Sequence, residues 1–340
     1  MPPTTGRSGL WRYSTCPDAR RKGENTMTTT FYKPEGWLLD TPQNQAAIAT
    51  LDGLQQARDS AQVLEARAAV CTGSHDLLVE LGCGLGLIPR EEGALGIREG
   101  TARDIALLSR VNKPVCFVVT ELRPEPDGRV TPILSRRAAQ ERCAREQHAL
   151  LEPGDILDAR VTHMEPFGCF VDIGCGIPSL IPIDCISVSR ISHPADRFIQ
   201  GQDIKAVVLS REPGGRICLS HKELLGSWEE NAALFCSGET VAGVVRSVEP
   251  YGVFVELTPN LAGLAEPRPG VRPGQQASVY IKSLLPEKMK VKLILVDAFD
   301  AAYHPRPPRY FLPEGGRLDR WVYSPACSPK RVETYFLPQL

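Results

Sequence analysis

The sequence lacks a dominant charge, a metal-binding cysteine pattern and a membrane-spanning run. Its 340 residues include 39 Lys and Arg against 40 Asp and Glu, a net charge of −1. That balance gives no whole-chain reason to expect nucleic-acid binding. The 11 cysteines include no Cys-x-x-Cys pair, so neither a zinc site nor a redox dithiol is indicated. No apolar run approaches the roughly 18 residues that a membrane span needs, so no membrane partner is expected.

Catalytic residue patterns are also missing. The six histidines are scattered, and no Ser/His/Asp or Cys/His constellation suggests itself. Cys169, Cys175, Cys185 and Cys218 lie in strand-like apolar segments, which is typical of small buried side chains in a reducing cytosol. We therefore expect a cytoplasmic protein that is not an enzyme and that has no cofactor and no metal site.

The first 42 residues are predicted to be a disordered extension. No apolar stretch follows their basic residues, which argues against a secretory signal. An organelle transit peptide is an alternative because the segment is rich in arginine and poor in acids. Another alternative is that the assigned start of the sequence lies too far upstream, because a sequence of more ordinary composition begins at Met27. The basic residues are Arg7, Arg12, Arg20, Arg21 and Lys22.

One phrase occurs twice. Residues 165–173 read Glu-Pro-Phe-Gly-Cys-Phe-Val-Asp-Ile, and residues 249–257 read Glu-Pro-Tyr-Gly-Val-Phe-Val-Glu-Leu, 84 positions later. The register extends outward, since Leu180 matches Leu264. A repeat of this kind constrains the architecture before any local motif does. Each copy alternates apolar and polar residues with a period of two, which predicts β-strands.

Three units of five short strands are predicted. A longer connection before the fourth strand favours the five-stranded Greek-key barrel that binds oligonucleotides, the OB-fold. Helices are predicted at 43–62, 136–150 and 221–236, with Trp228 as an anchor against a barrel. The predicted strands are 63–71, 77–81, 85–88, 115–120 and 133–135 in the first unit, 156–162, 170–173, 180–183, 204–209 and 217–219 in the second, and 241–248, 253–257, 262–265, 277–283 and 291–295 in the third.

The second unit contains five short motifs: Gly154-Asp155, Phe167-Gly-x-Phe170-Val-Asp, Gly174-Cys-Gly176, Gly-Gln-Asp-Ile-Lys at 201–205 and Arg-Ile-Cys-Leu-Ser-His-Lys at 216–222. Together they resemble the S1 RNA-binding domain, the repeat of the largest small-subunit ribosomal protein that several ribonucleases and translation factors share. The resemblance spans about 70 residues there, covers the first half of the third unit well and is loose in the first.

The resemblance also implies an RNA-binding surface. In the family, two aromatic residues, a histidine after the third strand, and an Asp and an Arg around the last turn contact RNA. Transferred position by position, the implied contacts are Phe167, Phe170 and Arg216 in the second unit and Tyr251, Phe254 and Lys290, with Lys292 beside it, in the third. The departures are Glu212 near the Asp position, Pro182 and Glu266 at the histidine position, and His75 and Leu78 at the aromatic positions of the first unit. The first unit is therefore expected to have lost its RNA face.

The implied contacts make physical sense. Bases stack on exposed rings for roughly 1–3 kcal/mol each without needing a specific sequence, and Arg216 or Lys290 could reach phosphates. Phe167 and Tyr251 stand beside a glycine at a strand start, so we expect them to be exposed. For Phe170 a core position and a stacking position are both open.

A competing motif lies in the first unit. Residues 79–86, Val-Glu-Leu-Gly-Cys-Gly-Leu-Gly, resemble the glycine loop of S-adenosylmethionine-dependent methyltransferases. That loop should open onto a helix, whereas Leu87-Ile88-Pro89 continues as extended sequence. We therefore predict a turn between two strands at Gly82–Gly84. A methyltransferase remains the enzymatic alternative.

The segment 298–340 interleaves basic and aromatic residues. Such a pattern suits single-stranded RNA, and packing of the rings onto the third barrel is the equal alternative. Because the net charge is near zero, we expect the phosphate contacts to come mainly from the third barrel and this tail. The basic residues concerned are Lys288, Lys290, Lys292, Arg309, Arg317 and Arg320, and the tail also contains Tyr303, Arg306, Tyr310, Phe311, Trp321 and Tyr323.

These observations together predict an all-β protein with helical linkers, built from tandem five-stranded OB-fold barrels of the S1 type. The expected function is non-catalytic binding of single-stranded RNA, such as mRNA, in translation, with the ribosomal small subunit as a candidate partner. A protein-interaction scaffold that has lost RNA affinity is a further alternative. The predicted segments are 1–42, extension; 43–61, helix; 62–137, degenerate barrel; 138–151, helical linker; 152–223, barrel; 224–237, helical linker; 238–297, barrel; and 298–340, aromatic and basic tail.

Overall fold

Three small barrels follow one another along the chain. The computed structural model describes residues 32–212, 215–301, 305 and 307–336. Within these residues fifteen strands form three closed barrels, and each barrel has the strand order 1-2-3-5-4. Neighbouring strands are antiparallel except the third and fifth, which pair in parallel. The tandem five-stranded barrels predicted from the repeat are confirmed.

The strand bounds are similar in the three barrels. The first barrel comprises β1 Leu64–Cys71, β2 Leu77–Leu81, β3 Gly84–Ile88, β4 Pro114–Pro124 and β5 Val130–Ser135. The second comprises β6 Ile156–Glu165, β7 Gly168–Asp172, β8 Pro178–Pro182, β9 Asp203–Arg211 and β10 Ile217–Ser220. The third comprises β11 Thr240–Glu249, β12 Gly252–Thr258, β13 Leu261–Ala265, β14 Gln276–Leu285 and β15 Lys290–Phe299. A two-stranded sheet of β16 Arg320–Val322 and β17 Glu333–Tyr335 follows.

The helices are shorter than the sequence predicts. The predicted helix 43–62 is two helices, because Thr50 is extended and its hydroxyl caps the second one by accepting from the Gly53 N–H. The predicted helix 221–236 is wrong in extent, since Gly226 has a φ of +84° and ends a 3-10 turn there. The helices are α1 Pro42–Ile48, α2 Leu51–Asp59, α3 Ile105–Leu108, α4 Arg136–Glu146 and α5 Trp228–Ala232. Among the described residues, no helix is long and apolar enough to cross a bilayer.

The glycine loop of the first barrel is a hairpin turn. Strands β2 and β3 are antiparallel, and Leu81 pairs with Gly84 across the turn. The extended segment after Gly84 is β3, which runs to Ile88. The strand-to-strand turn predicted at Gly82–Gly84 is confirmed, and the strand-to-helix geometry that a methyltransferase needs is not formed here.

Residues 32–41, which we name the strap, lie between the first two barrels. The carboxylate of Glu35 is 5% exposed and meets the guanidinium of Arg136, which is 4% exposed, with a shortest distance of 2.6 Å. Arg110 adds a second guanidinium at 3.3 Å. The main-chain N–H of Glu35 donates to Asp172 of β7 at 2.7 Å. The strap therefore joins β7 to the linker helix α4 through one buried ion-pair cluster.

A second buried carboxylate holds the strap to the first barrel. Glu65 Oε2 accepts the N–H groups of Gly36, Leu38 and Leu39 at 2.9–3.0 Å. Burial and the nearby charge of Glu35 raise the pKa of Glu65 to about 7. The same two causes raise the pKa of Asp172 to about 6. Burial opposes ionisation of Glu35 as well, but the guanidinium of Arg136 keeps the pKa of Glu35 below its usual value.

The second and third barrels meet through another buried ionic cluster. The guanidinium of Arg197, from the loop before β9, contacts Glu256 of β12. Arg246 of β11 reaches the same carboxylate at 2.9 Å. Asn260 accepts the N–H of Val188 at 3.0 Å and donates to the carbonyl of Gly226 at 2.8 Å. These contacts fix the second barrel against the third.

The tail packs onto the barrels. Trp321, Tyr323 and Phe336 are buried in the core cluster of the third barrel, which also contains Trp228. The Tyr310 hydroxyl accepts the Lys205 N–H at 2.9 Å and lies 3.3 Å from Nε2 of His221. For these rings packing, one of the two alternatives from the sequence, is confirmed. Tyr303 and Arg306 lie outside the described residues.

Candidate nucleic-acid interface

The second and third barrels present the same pair of aromatic rings. Phe167 contacts Phe170 edge to face, with centroids 6.0 Å apart and planes at 89°. Tyr251 contacts Phe254 in the same way, at 6.2 Å and 88°. The first ring of each pair is exposed, 57% for Phe167 and 66% for Tyr251. The second rings are half-buried, so Phe170 lies between the core and stacking alternatives.

A glycine holds each exposed ring at the barrel surface. Gly168 starts β7, and a Cβ there would lie 2.6 Å from the Ile181 carbonyl oxygen. At Gly252 the distance to the Ala265 carbonyl oxygen is also 2.6 Å. No side chain fits such a close approach of two strands. The aromatic-glycine phrase therefore encodes a tight hairpin whose first ring projects outward.

Each half-buried ring belongs to a row that crosses the barrel. In the second barrel the row runs His163, Phe170, Leu180, Cys218 and Ser210 across β6, β7, β8, β10 and β9. In the third the matching row runs Ser247, Phe254, Leu264, Lys292 and Ser283. The two faces thus share one register. They differ at the fifth strand of each barrel, which contributes Cys218 in the second barrel and Lys292 in the third.

Basic side chains flank both faces. Arg216 lies at the start of β10 in the second barrel, and Lys290 at the start of β15 is its counterpart. Lys290 and Lys292 are exposed, as is Arg216. None of the three forms an ion pair with another described residue. The predicted site residues of each barrel therefore share one face, with the charge at the edge of the rings.

The first barrel carries an aliphatic row at the same register. Val70 pairs with Leu78, and Leu78 pairs with Leu87. His75 occupies the tight turn before β2 with a φ of +67°. Neither Phe nor Tyr stands at either position, and the loss of an RNA face in this unit stays a prediction.

Sequence reasoning assigned no binding role to two side chains beside the second face. The His163 imidazole stacks on Phe170 at 6.3 Å and 24°, and its Nε2 lies 2.6 Å from Glu165. Arg211, at the end of β9, donates to the Ala149 carbonyl at 2.9 Å. The alternation of β6 places His163 on the outer face. That signal was available in the sequence, whereas the contact of Arg211 with another element was not.

Two of the three tail arginines form ion pairs with acidic side chains. Arg317 pairs with Glu152 at 2.7 Å and with Asp155 at 3.3 Å. Arg320 pairs with Glu333 at 2.5 Å and covers the Tyr335 ring at 4.9 Å. Arg309 is exposed, 5.3 Å above the Phe311 ring. Of the three, Arg309 is therefore the most open to a phosphate. Among the described residues, no group of three or more His, Cys, Asp and Glu side chains could hold a metal ion.

Comparison with known proteins identifies the second barrel. The S1 RNA binding domain family matches residues 150–222. The small ribosomal subunit protein bS1 of Leuconostoc lactis is 32% identical over 200 residues, 54% of this chain and 46% of that protein. The bS1 protein of Staphylococcus aureus (strain COL) is 31% identical over 258 residues, 71% of this chain and 63% of that protein.

A third relative matches a shorter stretch. The bS1 homolog of Bacillus subtilis (strain 168) is 38% identical over 138 residues, 39% of this chain and 36% of that protein. The chain thus spans between about a third and just under two thirds of the length of these curated relatives. With the barrel topology, the repeated ring pair and these matches together, the second barrel is an S1 RNA-binding domain, set in a chain of three barrels of the same topology.

Proposed function

We propose that this protein binds single-stranded RNA, without catalysis, on the matching faces of its second and third barrels. One observation carries the proposal: an exposed ring, held edge-on by a second ring, occurs at the same register in both barrels. Each first ring contacts its neighbour only edge to face, and more than half of its surface is open to solvent. Two in identical settings suit base stacking, which needs a free ring face.

The charge distribution supports the same proposal. The protein has a net charge of −1, so a broad electrostatic field cannot supply the affinity. The unpaired cations instead lie beside the rings, at Arg216, Lys290 and Lys292. Stacking would supply most of the binding energy, and a few phosphate contacts would orient the strand.

We further propose a role in translation, with mRNA as the ligand and the small ribosomal subunit as the partner. The names of the curated relatives, small ribosomal subunit proteins, support this assignment. It implies a cytoplasmic location. The sequence preference of the RNA is left open by stacking, which is tolerant of base identity.

Titration of a labelled single-stranded RNA, followed by fluorescence anisotropy, tests the proposal. Phe167→Ala and Tyr251→Ala should each weaken binding by about 1–3 kcal/mol, because each removes one stacking ring. Phe299→Ala is the matched control, since Phe299 is an exposed aromatic at the end of β15 and outside both rows. The melting temperatures of all three variants should stay close to that of the wild type.

Two results would contradict the proposal. Wild-type protein that fails to bind single-stranded RNA at low salt would leave the interaction-scaffold alternative. Equal losses in all three variants would mean that exposed aromatics act non-specifically and that the two faces have no special role.

A further inference from the structure

A cleft of 780 Å³ opens beside the second barrel's stacking face. Phe170, Leu180 and Arg216 line it on the side of the barrel. Leu95 and Ala144 line it from the first barrel's β3–β4 connection and from helix α4. The face that would stack a base is therefore one wall of a space whose other wall belongs to the preceding unit.

The far wall is fixed rather than loose. The Leu95 N–H donates to the buried side chain of Gln140 on α4 at 2.9 Å. His148 lines the cleft after α4, and its Nε2 lies 3.4 Å from the Ile173 carbonyl and 3.4 Å from the Cys143 sulfur. Burial lowers the pKa of His148, so this wall carries a neutral ring near pH 7. A preformed wall costs little ordering on binding.

A second pocket of 290 Å³ adjoins the cleft and shares Leu95, Ile177 and Pro178 with it. Arg110 and Arg136 line that second pocket, where both guanidiniums are already paired with Glu35. The cleft itself combines the apolar side chains of Leu95, Ala144 and Leu180 with three charged ones, Arg211, Glu212 and Arg216. That lining offers apolar surface to a flat base and a cation, Arg216, to its phosphate, and the volume lies within the range of about 300–1,000 Å³ usual for ligand sites.

We propose that this cleft binds a second base of the RNA, next to the base stacked on Phe167 and Phe170. The inference rests on the proposed RNA binding and extends it. The first unit, whose own face is aliphatic, then contributes to recognition by supplying Leu95 and Ala144 as a wall. The base would insert between that wall and Leu180, while Arg216 contacts its phosphate.

Crosslinking of the wild-type protein tests the proposal without a variant. Single-stranded RNA containing 4-thiouridine is irradiated in the complex, and the crosslinked peptides are mapped by mass spectrometry. Crosslinks at 90–98 or 141–150, in addition to the peptide that contains Phe167, are expected. Crosslinks confined to the faces of the second and third barrels would overturn the inference.

A filling substitution gives an independent measure. Ala144→Trp places an indole in the cleft from the half-buried face of α4 and should weaken RNA binding roughly tenfold, as expected for one lost base contact. Ala233→Trp, at the exposed end of α5 and away from the cleft, is the matched control and should leave affinity unchanged.

The outcomes separate the two proposals. If Ala144→Trp binds like the wild type while Phe167→Ala binds more weakly, the cleft is not a base site and the stacking function stands. If wild-type protein does not bind the RNA at all, both proposals fall. An equal loss in Ala144→Trp and Ala233→Trp would also refute the cleft.

Discussion

Replacing Glu35 by Gln should destabilise the joint between the first two barrels by about 3 kcal/mol. The carboxylate accepts from Arg136 at 2.6 and 3.0 Å, from Arg110 at 3.3 Å and from the Cys116 N–H at 3.1 Å. An amide keeps the shape but removes the charge, so the buried Arg136 loses the carboxylate that pairs with it directly. Breaking a buried ion pair in this way costs about 3–5 kcal/mol.

The lower end of that range is expected here because two effects oppose each other. The negative charge of Glu35 raises the pKa of both Glu65 and Asp172. Its removal relieves this repulsion and returns part of the lost stability. The remaining loss of unfolding free energy has two sources. The guanidinium of Arg136 lacks its carboxylate partner, and the amide N–H₂ of the new glutamine faces an N–H donor of Arg136. A hydrogen bond to a charged group is worth about 1.5–3 kcal/mol.

Urea unfolding of the whole chain and hydrogen exchange of the strap measure this effect. The N–H groups of Gly36, Leu38 and Leu39, which donate to Glu65, should lose protection in Glu35→Gln. Asp127→Asn is the control, because it makes the same charge change in an exposed pair with Arg129, worth at most about 1 kcal/mol. Equal effects of the two substitutions on unfolding and exchange would refute the reasoning.

Two further predictions concern charge. The folded-state pKa of Glu65 is raised to about 7 from 4.5, so its contribution to stability is present below pH 4.5 and is lost as the pH rises through 7. Glu65→Gln mimics the protonated acid, and one pKa unit is worth about 1.4 kcal/mol, so the free energy of unfolding of this variant should rise by about 3 kcal/mol relative to wild type between pH 4.5 and pH 8. Urea unfolding at the two pH values measures this, and a difference that does not change with pH would contradict it. Lys290→Gln and Lys292→Gln should each reduce the slope of log RNA affinity against log salt concentration by about 0.7. Arg317→Gln should leave that slope unchanged, because Arg317 is already paired with Glu152. A reduced slope in Arg317→Gln and an unchanged slope in the two lysine variants would make the tail the phosphate-binding element.

Strand positions and the ring pairs could be predicted because both are local signals. The period-two alternation and the repeated aromatic-glycine phrase determine which side chains share a face, and the structure places Phe167 and Tyr251 on the surface as expected. Helix lengths were less predictable. Gly226 and Thr50 each interrupt a segment whose composition favours a helix, and the interruption depends on backbone geometry at a single residue.

Contacts between units could not be read from the sequence. Glu35 falls in the segment predicted to be a disordered extension, yet it is buried among charges that come from two barrels. Nothing near Glu35 in the sequence indicates Arg136 or Asp172 as partners. The cleft beside Phe170 has the same origin, because Leu95 and Ala144 acquire a role only once α4 packs beside the second barrel.

The strap has a consequence for the folding of the protein during its synthesis on a ribosome. Glu35 is synthesised early, but its main-chain partner Asp172 follows 137 positions later, and its charge partner Arg136 follows 101 positions later. Domains usually fold in order as they emerge. Arg110 and Arg136 emerge with the first barrel, because Arg136 directly follows β5. Until the second barrel emerges, the strap lacks only the Asp172 carboxylate that accepts the Glu35 N–H. The nascent first barrel is therefore expected to remain accessible to chaperones and proteases until the second barrel has emerged. The two barrels would then become resistant to both at the same stage of synthesis.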